Sequence, residues 1–184
     1  VIDGYFGEDR GSAVDAEGFL ASGDYASIDG DGFITLLGRK SELFKTSTGR
    51  RVAPFPIESR LRQMVPVLEA VVFGAQRTQP VALLVVSPED FLLGPDKLAA
   101  RLRSEATRAL ATLPAYIRPG ACVVSAQPLS VVDGELTSNL KLRRRHIEAH
   151  RAVALADLDQ HLKAAAGARF EAASADGRQL YLSL

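Results

Sequence analysis

Three short, almost wholly apolar runs, Ala70–Phe73, Val81–Val86 and Ala121–Ser125, limit most strongly how this chain can fold. Each is too short for a buried helix and rich in valine, so each reads as a buried strand. Between the second and third, the spacing of Leu98, Leu102, Ala109, Leu110 and Leu113 predicts a helix from about Lys97 to Leu113. Pro114 and Pro119 end it. Before the first run, Pro54 and Pro56 lead into Ile57, Leu61 and Met64, apolar at helical spacing after a favourable start. Helices alternating with strands in this way predict a compact α+β module, a small central sheet of about three strands flanked by helices. A further helix is predicted from Ile147 to about Ala166, with Gly167 as its stop. The stretch from Phe170 to Leu184 reads as a hairpin around Asp176-Gly177.

The first 38 residues are different in kind. Asp3-Gly4, Glu17-Gly18, Gly23-Asp24 and Asp29-Gly30-Asp31-Gly32 punctuate strand-like runs at Phe19–Ala21, Tyr25–Ile28 and Phe33–Leu37. Asp-Gly between two such runs is a hairpin signal. The expected organisation is therefore a β-rich segment over 1–38, a module over 39–150, and a helix with a tail of unassigned role over 151–184. No repeat or low-complexity tract is visible.

Charge separates function classes. Lys+Arg and Asp+Glu are 22 each, so no net field draws the chain to nucleic acid or to an anionic membrane. Locally, residues 1–31 hold eight acids against one base, and residues 32–62 hold seven bases against two acids. A second basic cluster is Lys141, Arg143, Arg144 and Arg145. These are either solvated faces of opposite sign or two basic segments converging on an anionic ligand. The one cysteine, Cys122, excludes an internal disulfide framework and fits a reducing compartment. No run approaches the ~20 apolar residues of a membrane helix, and no secretory signal is seen. The expectation is a cytoplasmic protein, at most peripheral at a membrane. The missing initiator Met suggests a fragment.

Several chemistries fail on residue supply. His146, His150, His161 and Cys122 make no zinc pattern, so no metal site is expected, and His146 and His150 read as two solvated histidines. There is no G-x-S-x-G elbow and no G-x-x-x-x-G-K-[ST] phosphate loop. Three segments remain. Ser22-Gly23-Asp24 sits in a turn, where a carboxylate can accept two hydrogen bonds from a vicinal diol. Gly38-Arg39-Lys40-Ser41 opens a basic stretch that runs through Phe44-Lys45-Thr46-Ser47-Thr48-Gly49-Arg50-Arg51-Val52-Ala53-Pro54 to Ile57-Glu58. Glu135-Leu136-Thr137-Ser138-Asn139-Leu140-Lys141-Leu142-Arg143-Arg144 places a lysine on a polar turn, as a mobile point charge for a phosphate or carboxylate.

In this order and spacing, the three segments resemble the C-terminal part of the AMP-forming adenylating superfamily of acyl-CoA synthetases, luciferases and peptide-synthetase adenylation domains. The resemblance runs from about Gly4 to His150 and is greatest to long-chain fatty acyl-CoA synthetases. It implies a two-step ligase. A carboxylate attacks the α-phosphate of ATP to give an acyl-adenylate and pyrophosphate. The C-terminal domain then swings, and coenzyme A takes the acyl group. Carried over residue by residue, Asp24 and Arg39 are implied at the ribose and phosphate of ATP or AMP, and Ser41 at the hinge. Lys141 is implied as the catalytic cation of the first step. Lys45, Gly49, Arg50 and Arg51 are implied on the loop that meets the thiol and the phosphates of coenzyme A. Mg2+ is implied as bound mainly by the large N-terminal domain, which is also the implied partner, alongside a fatty acid.

Two positions depart from the family pattern. The hinge residue, usually Asp or Lys, is Ser41, and the loop carries Arg50-Arg51 where Glu and Asn are common. Nothing resembles the family's phosphate loop or acyl pocket, so the chain is expected to be inactive alone. Two other classes fit the same residues: a non-catalytic interaction or regulatory module, and an acyl-AMP ligase that loads a carrier protein.

Overall fold

A computed structural model describes residues 14–174, 176 and 178–184. The predicted turn at Asp3-Gly4 and the glycine of Asp176-Gly177 lie outside the described residues. The chain divides into two compact units, one ending at Leu43 and the other spanning Phe44–Leu184.

The described part of the first unit is built on one hairpin, β1 (Asp24–Ile28) with β2 (Ile34–Arg39), paired antiparallel from Asp24↔Arg39 to Ile28↔Ile34. Its turn is set by Asp29, whose carboxylate accepts from the N–H groups of Asp31 and Phe33 at 3.0 and 2.9 Å. Asp15 makes the same two bonds to Glu17 and Phe19 at the preceding turn. The sequences Asp15-Ala16-Glu17-Gly18-Phe19 and Asp29-Gly30-Asp31-Gly32-Phe33 are thus one local design used twice, too short to register as a repeat. The predicted run Phe19–Ala21 contributes only an isolated bridge, Val14↔Leu20. Phe19, Ile28, Phe33, Ile34 and Leu36 are all exposed.

The second unit is a five-stranded sheet with helices on both faces. In chain order come the small hairpin β3 (Phe44–Lys45) and β4 (Arg51–Val52), α1 (Pro54–Leu61), β5 (Val67–Phe73), β6 (Val81–Val86), α2 (Pro88–Phe91), α3 (Pro95–Ala109) and β7 (Ala121–Ser125). Then follow α4 (Arg144–His150), α5 (Ala152–Ala165), β8 (Glu171–Ala173) and β9 (Gln179–Ser183). The sheet order is β5-β6-β7-β9-β8. Only β6 and β7 pair in parallel, because the α2–α3 crossover separates them.

Strand alternation divides the interior in two. On one face Ala70, Val72, Ala82, Leu84, Cys122, Val124, Leu180 and Leu182 pack against α1 and α3 through Ile57, Leu61, Leu98 and Leu102. On the other, Val71, Phe73, Leu83, Val123 and Tyr181 pack against α4 and α5 through Ile147, Ala154, Leu155 and Leu158. Strand β6 is buried along its whole length, as a run apolar on both faces requires. Cys122 is fully buried on β7, and burial pushes its thiol pKa up, so it acts as a core side chain.

The three predicted strands are β5, β6 and β7, and the sheet continues beyond them. The hairpin predicted over Phe170–Leu184 is β8 with β9; it adds to the sheet beside β7, and Tyr181 and Leu182 are as buried as the central strands. The single helix expected over 147–166 is two, broken at Arg151, whose guanidinium turns inward instead of continuing a solvent-facing stripe.

Candidate functional site

The predicted site residues fall in three places. The first is the base of the β1–β2 hairpin. Antiparallel register sets Asp24 opposite Arg39, and the Arg39 Nε lies 2.9 Å from a carboxylate oxygen of Asp24. A second guanidinium nitrogen of Arg39 donates to the Ser22 carbonyl at 3.1 Å, and the Lys40 N–H donates to the Gly23 carbonyl at 2.7 Å. The two segments singled out in the sequence are therefore one surface, with one acid and one base paired and partly exposed. Ser41 follows in a short 3-10 turn, Lys40–Glu42, and is exposed.

The second place is the loop between β3 and β4. Thr46 organises it: its N–H donates to the Arg50 carbonyl at 2.9 Å, and its hydroxyl bonds the Arg50 N–H at 3.1 Å and the Thr48 hydroxyl at 2.9 Å. Gly49 turns the chain at φ +85°, a region that L side chains avoid. Val52 anchors the base in the core beside α1 and α3, and Phe44 packs there too. Phe44 lies so close to Gly74 that a Cβ added at that glycine would sit 2.2 Å from the ring. The Ser47 N–H donates to the Arg77 carbonyl at 2.9 Å, and the Arg77 side chain is ion-paired with Asp159 on α5. On this frame Lys45, Arg50 and Arg51 are exposed, and the Arg50 guanidinium stands 4.6 Å over the Tyr116 ring. A loop carrying three cations suits an anionic ligand.

The third place is the turn bearing Lys141. The Thr137 N–H donates to the Lys141 carbonyl and the Leu140 N–H to the Thr137 carbonyl, both at 2.9 Å. The Thr137 hydroxyl accepts from the Lys141 N–H at 3.0 Å. Leu140 takes φ +58°, and Leu136 bridges Leu142. Lys141 is presented at the surface while its neighbour Leu142 packs on the α4–α5 face of the sheet.

The core anchors of the turn and of the β3–β4 loop thus belong to opposite faces of the sheet, Leu142 to one and Phe44 and Val52 to the other. Part of the second basic cluster is spent on an acid of the first segment. Arg144 forks onto Glu58, with contacts at 2.5 and 3.1 Å, and also donates to the Val72 carbonyl at 2.9 Å. Glu58 is 2% exposed and also accepts from the Val72 N–H at 2.7 Å. Removing one partner of a buried pair of this kind typically costs about 3–5 kcal/mol.

In the sequence Glu58, Arg144 and Glu135 stand only as letters of the motifs, with no signal of their partners. Glu135 is fully buried and takes two bonds from Arg151, at 2.7 and 3.2 Å, one from the Ser130 N–H at 3.1 Å, and a contact from His150 Nδ1 at 2.9 Å. His150 is therefore tied to an acid, and His146 contacts Arg143. Donor atoms of Asp133, Glu135 and His150 lie within 4.8 Å of one another, and the guanidinium of Arg151 already supplies positive charge to Glu135. Burial pushes the Glu135 pKa up, but the bonds from Arg151 and His150 and the charge of Arg151 outweigh it, leaving it below the ordinary 4.5. A carboxyl depressed in the folded state stabilises fully above its unfolded value and loses that contribution as pH falls through the folded value. Thermal melts of the chain should accordingly show a midpoint falling on acidification below pH 4.5. Glu135→Gln should lower the midpoint at neutral pH and flatten this acid limb; an unchanged limb would show that other carboxylates carry it.

With this geometry in view, residues 42–152 match the family described as AMP-binding enzyme C-terminal domain. The chain belongs to that family. It is 35% identical over 92 residues to the long-chain-fatty-acid–CoA ligase FadD15 of Mycobacterium tuberculosis, which covers 50% of this chain and 15% of that protein. It is 41% identical over 66 residues to the long-chain-fatty-acid–CoA ligase ACSBG1 of Homo sapiens, 35% of this chain and 9% of the relative. Among solved structures, the adenylation domain of a carboxylate reductase from Mycobacterium chelonae superposes with TM-score 0.69 at 25% identity, over 80% of this chain and 24% of that one. An anthranilate CoA ligase in complex with anthranoyl-AMP superposes with TM-score 0.56 at 26% identity, over 74% and 25%. The chain spans a small fraction of the length of each. These AMP-binding enzymes bear out the adenylating-superfamily resemblance and the mixed α/β fold. No described helix is long and apolar enough to cross a membrane.

Proposed function

We propose that this chain is the C-terminal portion of a long-chain fatty acid–CoA ligase. Residues up to about 38, with Arg39 paired to Asp24, are the end of the large adenylate-forming domain, and the module that follows the hinge at Ser41 is the domain that swings. One observation carries the proposal: the anchors of the Lys45–Arg51 loop, Phe44 and Val52, pack on the α1–α3 face of the sheet, whereas Leu142 beside Lys141 packs on the α4–α5 face, which suits two sites that serve one active centre in turn. In the first step a carboxylate oxygen attacks the α-phosphorus of ATP, an O–P bond forms, and the bond to pyrophosphate breaks. Lys141 stabilises the charge that gathers there. In the second step the thiol sulfur of coenzyme A attacks the acyl carbon, a C–S bond forms, and AMP leaves. Arg50, Arg51 and Lys45 meet the coenzyme's phosphates, and Gly49 leaves the thiol its path.

The nucleotide fits the first unit. The Asp24 carboxylate suits the ribose hydroxyls, and the Arg39 fork suits phosphate or ribose oxygens. The anthranilate CoA ligase that shares this fold holds anthranoyl-AMP, which supports nucleotide binding here. Mg2+ belongs with the phosphates, held by the large domain. Ser41 lies two residues before the boundary between the units and is the hinge.

The test is to assay the half-reactions separately. The full-length parent should exchange pyrophosphate into ATP with a fatty acid and then form a thioester with coenzyme A. The chain alone, lacking phosphate loop and acyl pocket, should show no exchange. Robust exchange by the chain alone overturns the domain assignment, and acylation of a holo-carrier protein in preference to coenzyme A overturns the thiol assignment.

A further inference from the structure

The stretch from Glu135 to Arg144 carries the exposed lysine between two buried acid–base pairs. At its start, Glu135 is fixed by Arg151 at the head of α5, by His150 and by the Ser130 N–H. Arg151 is itself held by the Gln127 side chain at 2.9 Å. At its end, Arg144 crosses to Glu58 on α1 and to the Val72 carbonyl on β5. The ends also meet each other, since the Arg143 N–H donates to the Glu135 carbonyl at 2.8 Å. Between them Thr137 closes the tip through both its backbone and its hydroxyl. Only Ser138 to Lys141 and Arg143 are exposed in this stretch.

From this arrangement we infer that Glu135 and Arg144 are positioning residues for the adenylation half-reaction, fixing the backbone of Lys141 to the sheet so that its ammonium is delivered by domain movement alone. The inference rests on the assignment of Lys141 proposed above. A lysine side chain is long and flexible, so preorganised charge at a reacting phosphate requires its backbone to be held. A free loop would spread the ammonium over many positions. Two buried forks, one to each face of the sheet, remove that freedom. The Glu135 fork lies on the α4–α5 side with Leu142, and the Arg144 fork fixes the end of the stretch to α1 and to the outer strand β5.

The experiment uses the full-length parent, with Glu135→Gln, Arg144→Lys and the double variant Glu135→Leu/Arg151→Met, measuring each half-reaction and the thermal midpoint. Glu135→Gln keeps shape and loses charge; Arg144→Lys keeps charge and loses the fork. Each should slow adenylation turnover roughly 10–100-fold, the range seen when residues that orient a functional group are removed. KM for ATP and thioester formation from a supplied acyl-adenylate should stay near wild type. The double variant replaces a buried pair by apolar side chains and should recover the thermal midpoint. It should not recover adenylation, because the bonds to the turn are still missing.

Return of adenylation together with stability, or parallel loss of both half-reactions, overturns the positioning role. So does full adenylation in Arg144→Lys. If Glu135→Gln does not fold, the double variant and Arg144→Lys decide. Lys141→Ala, run alongside, separates the two levels. Intact adenylation there overturns both claims, whereas its loss with normal adenylation in Glu135→Gln overturns the positioning claim alone.

Discussion

Lys141→Ala in the full-length parent should abolish formation of the acyl-adenylate while sparing thioester formation from a supplied acyl-adenylate. The side chain is exposed on a turn closed by Thr137, so its removal leaves no cavity and breaks no core contact. A solvated surface lysine predicts changes within about ±0.5 kcal/mol of stability and small, equal effects on both steps. A charge preorganised at the α-phosphate predicts a loss on the order of 10²–10³ in the first step only, as when an oxyanion-hole donor is removed. Parallel loss of both steps with the fold intact would remove Lys141 from the mechanism.

The converse should hold at Gly49. Its φ of +85° strains any L residue, and an added Cβ would lie 3.6 Å from Lys45 Cε, an ordinary contact. The Cβ itself therefore meets no clash, and Gly49→Val is expected to bend the loop through its backbone strain and, in the proposed second step, to narrow the approach of the thiol. Misplacing a reacting group by about 1 Å can cost on the order of 10²-fold, and that loss should fall on thioester formation. Pyrophosphate exchange should remain near the wild-type rate, because the loop is anchored on the other face from the Lys141 turn. A Gly49→Val enzyme that loses exchange but keeps thioester formation would reverse the assignment of the two faces.

What the sequence made legible follows from how local each signal is. Strands β6 and β7 and the Ala70–Phe73 part of β5 announce themselves as apolar runs, because each is buried on both faces. The turns at Asp29 and at Thr137 to Leu140 are short-range chemistry, written in adjacent letters. The Glu58–Arg144 pair spans 86 residues and has no local signature beyond a lone acid on an apolar helix face beside Ile57 and Leu61. Glu135 was visible as a motif letter, but its burial depends on Arg151 turning inward, which helical periodicity across 147–166 does not reveal. The hairpin of the tail was legible from its turn around Asp176, and β8 pairs antiparallel with β9 there, but its place beside β7 is fixed only by tertiary pairing. The opposite anchoring of the two motifs is likewise a property of the sheet, not of either motif.

The pair that fixes Arg144 has a second consequence, for solubility. Strand β5 is the outer strand of the sheet, and outer strands present unpaired backbone groups on which another chain can build. On β5 the outward N–H and carbonyl of Val72 are taken by Glu58 and Arg144, and the N–H of Ala70 by the Glu69 carboxylate at 2.9 Å. The opposite border is β8, only three residues long and too short to template a partner. Breaking the Glu58–Arg144 pair therefore does more than loosen a turn: it bares the backbone of an apolar strand and opens the sheet to edge-to-edge growth.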